Sequence, residues 1–179
     1  MKKILAFAGS ISSTSINKQL AVYAAGLLDK VEYDILNMNE YPAPLFSIDE
    51  EKNGFPENML RLSERLKTYD GFIISLAEHN GSYAAAYKNT IDWLSRIELK
   101  VFNKKPMLLM SASPGGRGGA SVLAAANAYY PHLVAEIIAN FSLPKFYDHF
   151  KEGKITDAEL DHALENAVSL FLKEIQLES

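Results

Sequence analysis

Five short apolar runs recur along this chain, at residues 4–8, 31–38, 71–77, 107–111 and 136–141, separated by polar breaks and by apolar residues at helical spacing. That alternation restricts the chain to strands joined by crossover helices, because each period suits only one kind of element. Runs such as Ile4-Leu5-Ala6-Phe7-Ala8 fit strands buried on both faces. The second run, V-E-Y-D-I-L-N-M, alternates and predicts a half-exposed strand near a sheet edge. Helical stripes follow at Leu20, Tyr23, Ala24, Leu27 and Leu28, at Met59, Leu62, Leu66 and Tyr69 after Pro56, and at Tyr83, Tyr87, Ile91 and Leu94. Another helix is predicted over 121–130, with Val122, Leu123, Ala126 and Tyr129 facing the core and Pro131 ending it. The last, with Leu160, Leu164, Ala167, Phe171 and Ile175 as its apolar face, opens on Thr156-Asp157-Ala158-Glu159, which has capping-box spacing. Residues 39–55 carry Pro42, Pro44 and Gly54 and predict a long loop, of the kind that serves as a lid or contact surface.

The expected architecture is one α/β domain over residues 1–179, a doubly wound parallel five-stranded sheet between two helical layers. Right-handed crossovers favour the flavodoxin-like strand order 2-1-3-4-5. Its switch point lies between the first and third strands, so the loops after strands one, three and four should meet in one crevice. The loop after strand two is long enough to wall it.

The first of those loops, Gly9 to Asn17, is rich in hydroxyls and opens a helix. Unpaired N–H groups and the macrodipole at a helix start favour an anion. Ser15 suits a helix cap equally well, and the remaining hydroxyls suit a turn. A net charge of −4 argues against general affinity for nucleic acid or an anionic membrane, so any anion site is local. The absence of cysteine excludes disulfides, thiolate metal sites and a cysteine nucleophile. His79, His132, His149 and His162 are too scattered to suggest a metal site. No G-x-S-x-G, G-x-x-x-x-G-K-[ST] or G-x-G-x-x-G motif is present, against a hydrolase elbow, a P-loop and a classical dinucleotide domain. The first residues enter a strand directly and no run reaches transmembrane length, which predicts a cytoplasmic protein.

The loop Gly9-Ser10-Ile11-Ser12-Ser13-Thr14-Ser15-Ile16-Asn17 resembles the G-S-x-R-x-x-S-x-N signature of the NAD(P)H-dependent FMN reductases, a flavodoxin-like group that includes quinone, azo-dye and chromate reductases. Ala77-Glu78-His79-Asn80-Gly81-Ser82, followed by Tyr87-Lys88-Asn89-Thr90-Ile91-Asp92-Trp93, is similar to that family's P-E-Y-N-G-S and L-K-N-x-I-D-W segments. The loop from Ser111 to Gly119 is similar to its glycine-rich segment.

This resemblance implies FMN as cofactor and NADPH or NADH as co-substrate. Ser10, Ser12, Ser15, Ile16 and Asn17 then hold the phosphate. Glu78, His79, Asn80 and Gly81 carry the isoalloxazine surface, while Ser111, Gly115, Gly116 and Gly118 meet its pyrimidine edge. His79 stands at the family's tyrosine, where it can hydrogen-bond the ring or the substrate, and Glu78 is structural, accepting N–H bonds. Arg117 is placed either near the nicotinamide phosphates or in solvent. No side chain acts as a nucleophile. The family's arginine is Ser12 here, which removes a permanent charge and a bidentate fork, with Lys18 the nearest replacement. Small-molecule acceptors and a homodimer or homotetramer, without nucleic acid or membrane, complete the expectation. The alternative is a flavodoxin-like binding protein with weakened flavin affinity; an electron-transfer flavodoxin is disfavoured by the short acidic patch from Asp49 to Glu51.

Overall fold

Successive residues of a strand point to opposite faces of a sheet, and here both sets are apolar. Leu5, Phe7, Phe72, Ile74, Leu76, Met107 and Leu109 enter one core, whereas Ile4, Ala6, Ile73, Leu108 and Met110 enter the other. A sheet buried on both sides needs helices on both sides. The computed structural model, which describes residues 1–177, has that three-layer arrangement. In chain order the elements are β1 (Lys3–Gly9), α1 (Ile16–Gly26), β2 (Glu32–Leu36), α2 (Ile48–Glu51), α3 (Glu57–Lys67), β3 (Gly71–His79), β4 (Ser82–Tyr83), α4 (Ala85–Ile97), β5 (Pro106–Ala112), α5 (Ala120–Tyr129), β6 (Glu136–Leu143), α6 (Phe146–His149), β7 (Phe150–Lys151), β8 (Lys154–Ile155) and α7 (Ala158–Leu177).

The long strands run parallel in the order β2-β1-β3-β5-β6, which is the expected 2-1-3-4-5 once the two-residue β4 is set aside. Residues of α1 and α7 pack on one face, and residues of α3, α4 and α5 on the other. Register brings the carboxyl ends level, since Gly9 pairs with Leu76 and Leu76 with Ser111. The loops that follow β1, β3 and β5 therefore leave the sheet at one edge. Gly9 suits that place by packing: a Cβ would crowd the core, lying 3.0 Å from the ring of Tyr87 and 3.1 Å from Leu76.

Several local expectations are corrected. Residues 78–82 form a hairpin instead of an open loop, with β4 antiparallel to β3 and both Asn80 and Gly81 at positive φ. That is the turn that Asn-Gly favours, because strand twist matches it. Tyr83 accordingly lies in β4, ahead of α4. Tyr130, not Tyr129, is the buried residue at the end of α5, because the chain tightens there into a 3₁₀ turn over Tyr130–Leu133. Asp157, not Thr156, caps α7, its Oδ1 accepting from the N–H groups of Glu159 and Leu160. Segment 39–55 contains the short helix α2, capped by Ser47.

That proline-rich segment is fastened to α4. Asn89 Oδ1 accepts from the N–H of Phe46 at 2.8 Å, and Asn89 Nδ2 donates to the carbonyl of Pro44 at 3.0 Å. The indole N–H of the buried Trp93 donates to the same carbonyl at 2.8 Å. At the β2 edge, Asp34 accepts from the Tyr69 hydroxyl at 2.6 Å and pairs with Lys3 at 2.9 Å. The hydrogen bond from Lys3, and then that from Tyr69, hold the Asp34 carboxyl below its ordinary range.

Asn89→Ala leaves the Phe46 N–H without its acceptor, and the expected cost is about 1–3 kcal/mol. Faster amide exchange at Phe46 and earlier proteolysis between Pro42 and Phe55, with the sheet unchanged, are the expected results; unchanged exchange at Phe46 would contradict them. Because the folded pKa of Asp34 is lowered, its contribution is complete above the ordinary carboxylate range and lost as pH falls through the folded value. The stability difference between the chain and Asp34→Asn should therefore be flat between about pH 6 and about pH 8 and shrink below about pH 4. Urea unfolding across that range checks the sign.

Candidate functional site

The loop between β1 and α1 is organised by its own hydroxyls. Ser10 Oγ accepts from the Ser12 N–H, Ser12 Oγ accepts from the Thr14 N–H, and the Ser12 and Thr14 hydroxyls bond each other. Ser15 is the N-cap of α1, its Oγ accepting from the Lys18 N–H at 3.1 Å. The N–H groups of Ile16 and Asn17 precede the first helical hydrogen bond, so the helix itself cannot use them. Together with the helix dipole they favour an anion at this point.

Asn17 is 2% exposed and fully committed to the scaffold. Its Oδ1 accepts from the Ser75 hydroxyl and from the Ala112 N–H, both at 2.8 Å, while Nδ2 donates to the Ala112 carbonyl at 3.1 Å. One carboxamide thus ties the start of α1 to β3 and to the end of β5. Asn39 adds a second tie, donating from Nδ2 to the Ile11 carbonyl at 3.2 Å.

On the far side of the cleft, Glu78 Oε2 accepts from the Val122 N–H at 3.0 Å. The N-cap of α5 is Gly119, which has no side chain to offer, so a carboxylate from β3 caps that helix. Gly118 and Gly119 both have positive φ and press on the sheet. A Cβ on Gly118 would lie 2.2 Å from Ser142 Oγ, and one on Gly119 would lie 2.8 Å from Ser111 Cβ. The buried Ser111 hydroxyl donates to the Gly118 carbonyl at 2.7 Å. The glycine-rich loop is therefore closed down on β5 and β6 by close packing.

These parts enclose a cleft of about 290 Å³ lined by Ser10, Ser12, Ser15, Ile16, Asn17, Glu78 and His79, all anticipated from sequence. Asn80, Gly81, Ser111, Gly115, Gly116 and Gly118 lie outside its lining. The first two form the hairpin turn, Gly116 is exposed, and Ser111 and Gly118 hold the loop from behind. Thr14, Ala77, Ala112, Ser113, Pro114 and Tyr147 also line it. Ser113 and Pro114 sit inside the glycine-rich segment already singled out; Tyr147 comes from beyond β6, where no motif marked it. Arg117 is exposed and donates to the Ser121 hydroxyl at 3.0 Å. Lys18 borders a neighbouring cavity of about 240 Å³ behind Ser10 and Ser12 and makes no ion pair among the described residues. Behind the hairpin, Tyr83 has a buried hydroxyl without a hydrogen-bond partner, and burial pushes its pKa up to about 12. Burial likewise raises Tyr87, whose hydroxyl bonds that of Tyr130.

A model of the NADPH-dependent FMN reductases matches residues 2–148, spanning the phosphate-type loop, the hairpin and the glycine-rich loop. The chain belongs to that family. Among FMN reductase relatives, it is 32% identical over 123 residues to a quinone reductase of Escherichia coli strain K12, covering 66% of this chain and 63% of that protein. It is 32% identical over 119 residues to the NAD(P)H-dependent FMN reductase PA1204 of Pseudomonas aeruginosa, with the same coverage. The match thus spans less than two thirds of the length of each of these two relatives. The solved structure of FerB, a flavoenzyme NAD(P)H:(acceptor) oxidoreductase from Paracoccus denitrificans, superposes with a TM-score of 0.79 at 25% identity over 99% of this chain and 98% of that one. A flavodoxin from Pseudomonas aeruginosa, 15% identical with a TM-score of 0.58 and 98% and 99% coverage, shares the fold. Among the described residues no helix is long and apolar enough to cross a membrane.

Asn17→Ala removes the acceptor of the buried Ser75 hydroxyl and Ala112 N–H. The expected loss is about 2–4 kcal/mol of unfolding free energy, from two abandoned donors. Hydrogen exchange at the Ala112 amide should be much faster in Asn17→Ala than in the unaltered chain. Unchanged protection of that amide in Asn17→Ala would contradict the role assigned to Asn17.

Proposed function

We propose that this chain is an FMN-dependent oxidoreductase that takes electrons from NADPH or NADH and passes them to a small acceptor such as a flavin, a quinone or an azo compound. The observation that carries this reading is the donor-rich start of α1 at the switch point of the sheet, facing a cleft shared with the loops after β3 and β5. The residues present fit a phosphate there. Hydroxyls of Ser10, Ser12 and Thr14 accompany the first-turn N–H groups, and the one carboxylate in the lining, Glu78, is engaged by Val122. When bound, FMN supplies the two-electron chemistry that the side chains lack.

Ser10, Ser12, Ser15, Ile16 and Asn17 are assigned to the phosphate end, with Ser15 and Asn17 acting by fixing the backbone. Glu78, His79, Asn80 and Gly81 are assigned to the flank of the ring. Ser111, Gly115, Gly116 and Gly118 set the loop whose N–H groups face negative charge at the pyrimidine edge. The proline-rich segment clamped by Asn89 and Trp93, expected from sequence to wall the crevice, instead lines a separate cavity with Ile11, Met38 and Ala85. The names of the relatives support the acceptor class: quinone reductase, FMN reductase and, at 27% identity, an NADPH azoreductase of Bacillus sp. strain OY1-2. We assign residues 1–179 to one domain, with cytoplasmic location and assembly as a homodimer or homotetramer.

Protein saturated with FMN and desalted should keep the visible flavin bands, and anaerobic NADPH or NADH should bleach them. If no flavin is retained after saturation, the reading fails and the flavodoxin-like binding protein replaces it.

A further inference from the structure

We infer that Tyr147 completes the phosphate end of the cleft, its phenol hydroxyl donating to the anionic group held at the start of α1; the inference rests on the FMN reading above. Tyr147 is 60% exposed, yet it lines the same cleft as Ser10, Ser12, Thr14 and Ser15. It comes from α6, far along the chain from the phosphate-type loop.

The turn that carries it is firmly held. The Lys145 N–H donates to the Gly115 carbonyl at 2.9 Å and the Phe146 N–H to the Ser113 carbonyl at 3.0 Å, so the segment after β6 is bonded to the glycine-rich loop. Phe146 is buried, stacks on Phe150 at 4.7 Å and meets the Tyr147 ring edge-on at 5.6 Å. Lys151 Nζ donates to the Tyr147 carbonyl. With the backbone fixed at these points, only the rotamer freedom of the side chain remains to be lost when it binds.

The hydroxyl is also free. Tyr23 donates to Asp161, Tyr69 to Asp34, Tyr41 accepts from Arg65, and Tyr87 and Tyr130 bond each other. The Tyr147 hydroxyl makes no such bond among the described residues. The loop from Gly9 to Asn17 offers only neutral donors and contains no lysine or arginine. A phosphate there meets no positive side chain from the loop, and an O–H donor in the same lining supplies the kind of bond that is stronger to an anion than to a neutral group.

Riboflavin, which lacks the phosphate, separates this role from ring contact. Both flavins are titrated against the unaltered chain, Tyr147→Phe and Tyr147→Ala by quenching of flavin fluorescence, with far-ultraviolet circular dichroism confirming the fold of each. Tyr147→Phe should weaken FMN about tenfold and leave riboflavin unchanged, the loss of about one charge-assisted bond. Unchanged FMN affinity in Tyr147→Phe would overturn the inference. Equal weakening of FMN and riboflavin would overturn it as well, since the ring alone would then be at work. Failure of the unaltered chain to bind FMN would bring down the underlying reading, a result distinct from either.

Discussion

The site depends on one buried carboxamide. Asn17 lies at the first turn of α1, where the chain has just left β1, and its bonds reach Ser75 on β3 and Ala112 at the end of β5. Strand pairing levels the three carboxyl ends, but it does not fix how the first helix turn sits above them. A buried amide must find its partners or cost the protein a desolvated polar group, so the position of α1 is set by what Asn17 requires. The N–H groups of Ile16 and Asn17 are aimed by that same constraint.

The segments around the site follow the same logic of anchoring. Glu78 caps α5 from across the cleft, which couples the hairpin after β3 to the glycine-rich loop after β5. Asn89 and Trp93 hold the proline-rich segment, and Asn39 ties the turn after β2 to Ile11. Most polar side chains of the family motifs in this chain are thus bonded to protein backbone. Donors offered to a ligand are chiefly main-chain N–H groups and the hydroxyls of the first loop. A site built this way is preorganised, since few groups must reorient when an anion enters.

Much of this was legible in the sequence, for identifiable reasons. Strand order followed from alternation of runs and helices because right-handed crossovers leave few choices. Ser15 was readable as a cap from its place before an apolar stripe, and the bond to the Lys18 N–H bears that out. Asn80-Gly81 carries a hairpin signal, but the polar residues around it suit an open loop equally well. Tyr129 and Tyr130 could not be separated by period, since the switch to a 3₁₀ turn at Pro131 rotates the last side chain inward. Asp157 displaced Thr156 as the cap because the Thr156 N–H and hydroxyl both donate to the His149 carbonyl. Tyr147 had no local signal at all. Its place in the cleft arises from the bonds of residues 145 and 146 to the glycine-rich loop, and such long-range pairing is invisible to spacing.

The most direct measurement is a crystal structure of the protein with FMN bound. The account predicts a phosphate within hydrogen-bonding distance of the Ile16 and Asn17 N–H groups, with the Asn17 carboxamide still bonded to Ser75 and Ala112. A phosphate seated elsewhere, or an Asn17 side chain released from Ser75 and turned to the ligand, would contradict it.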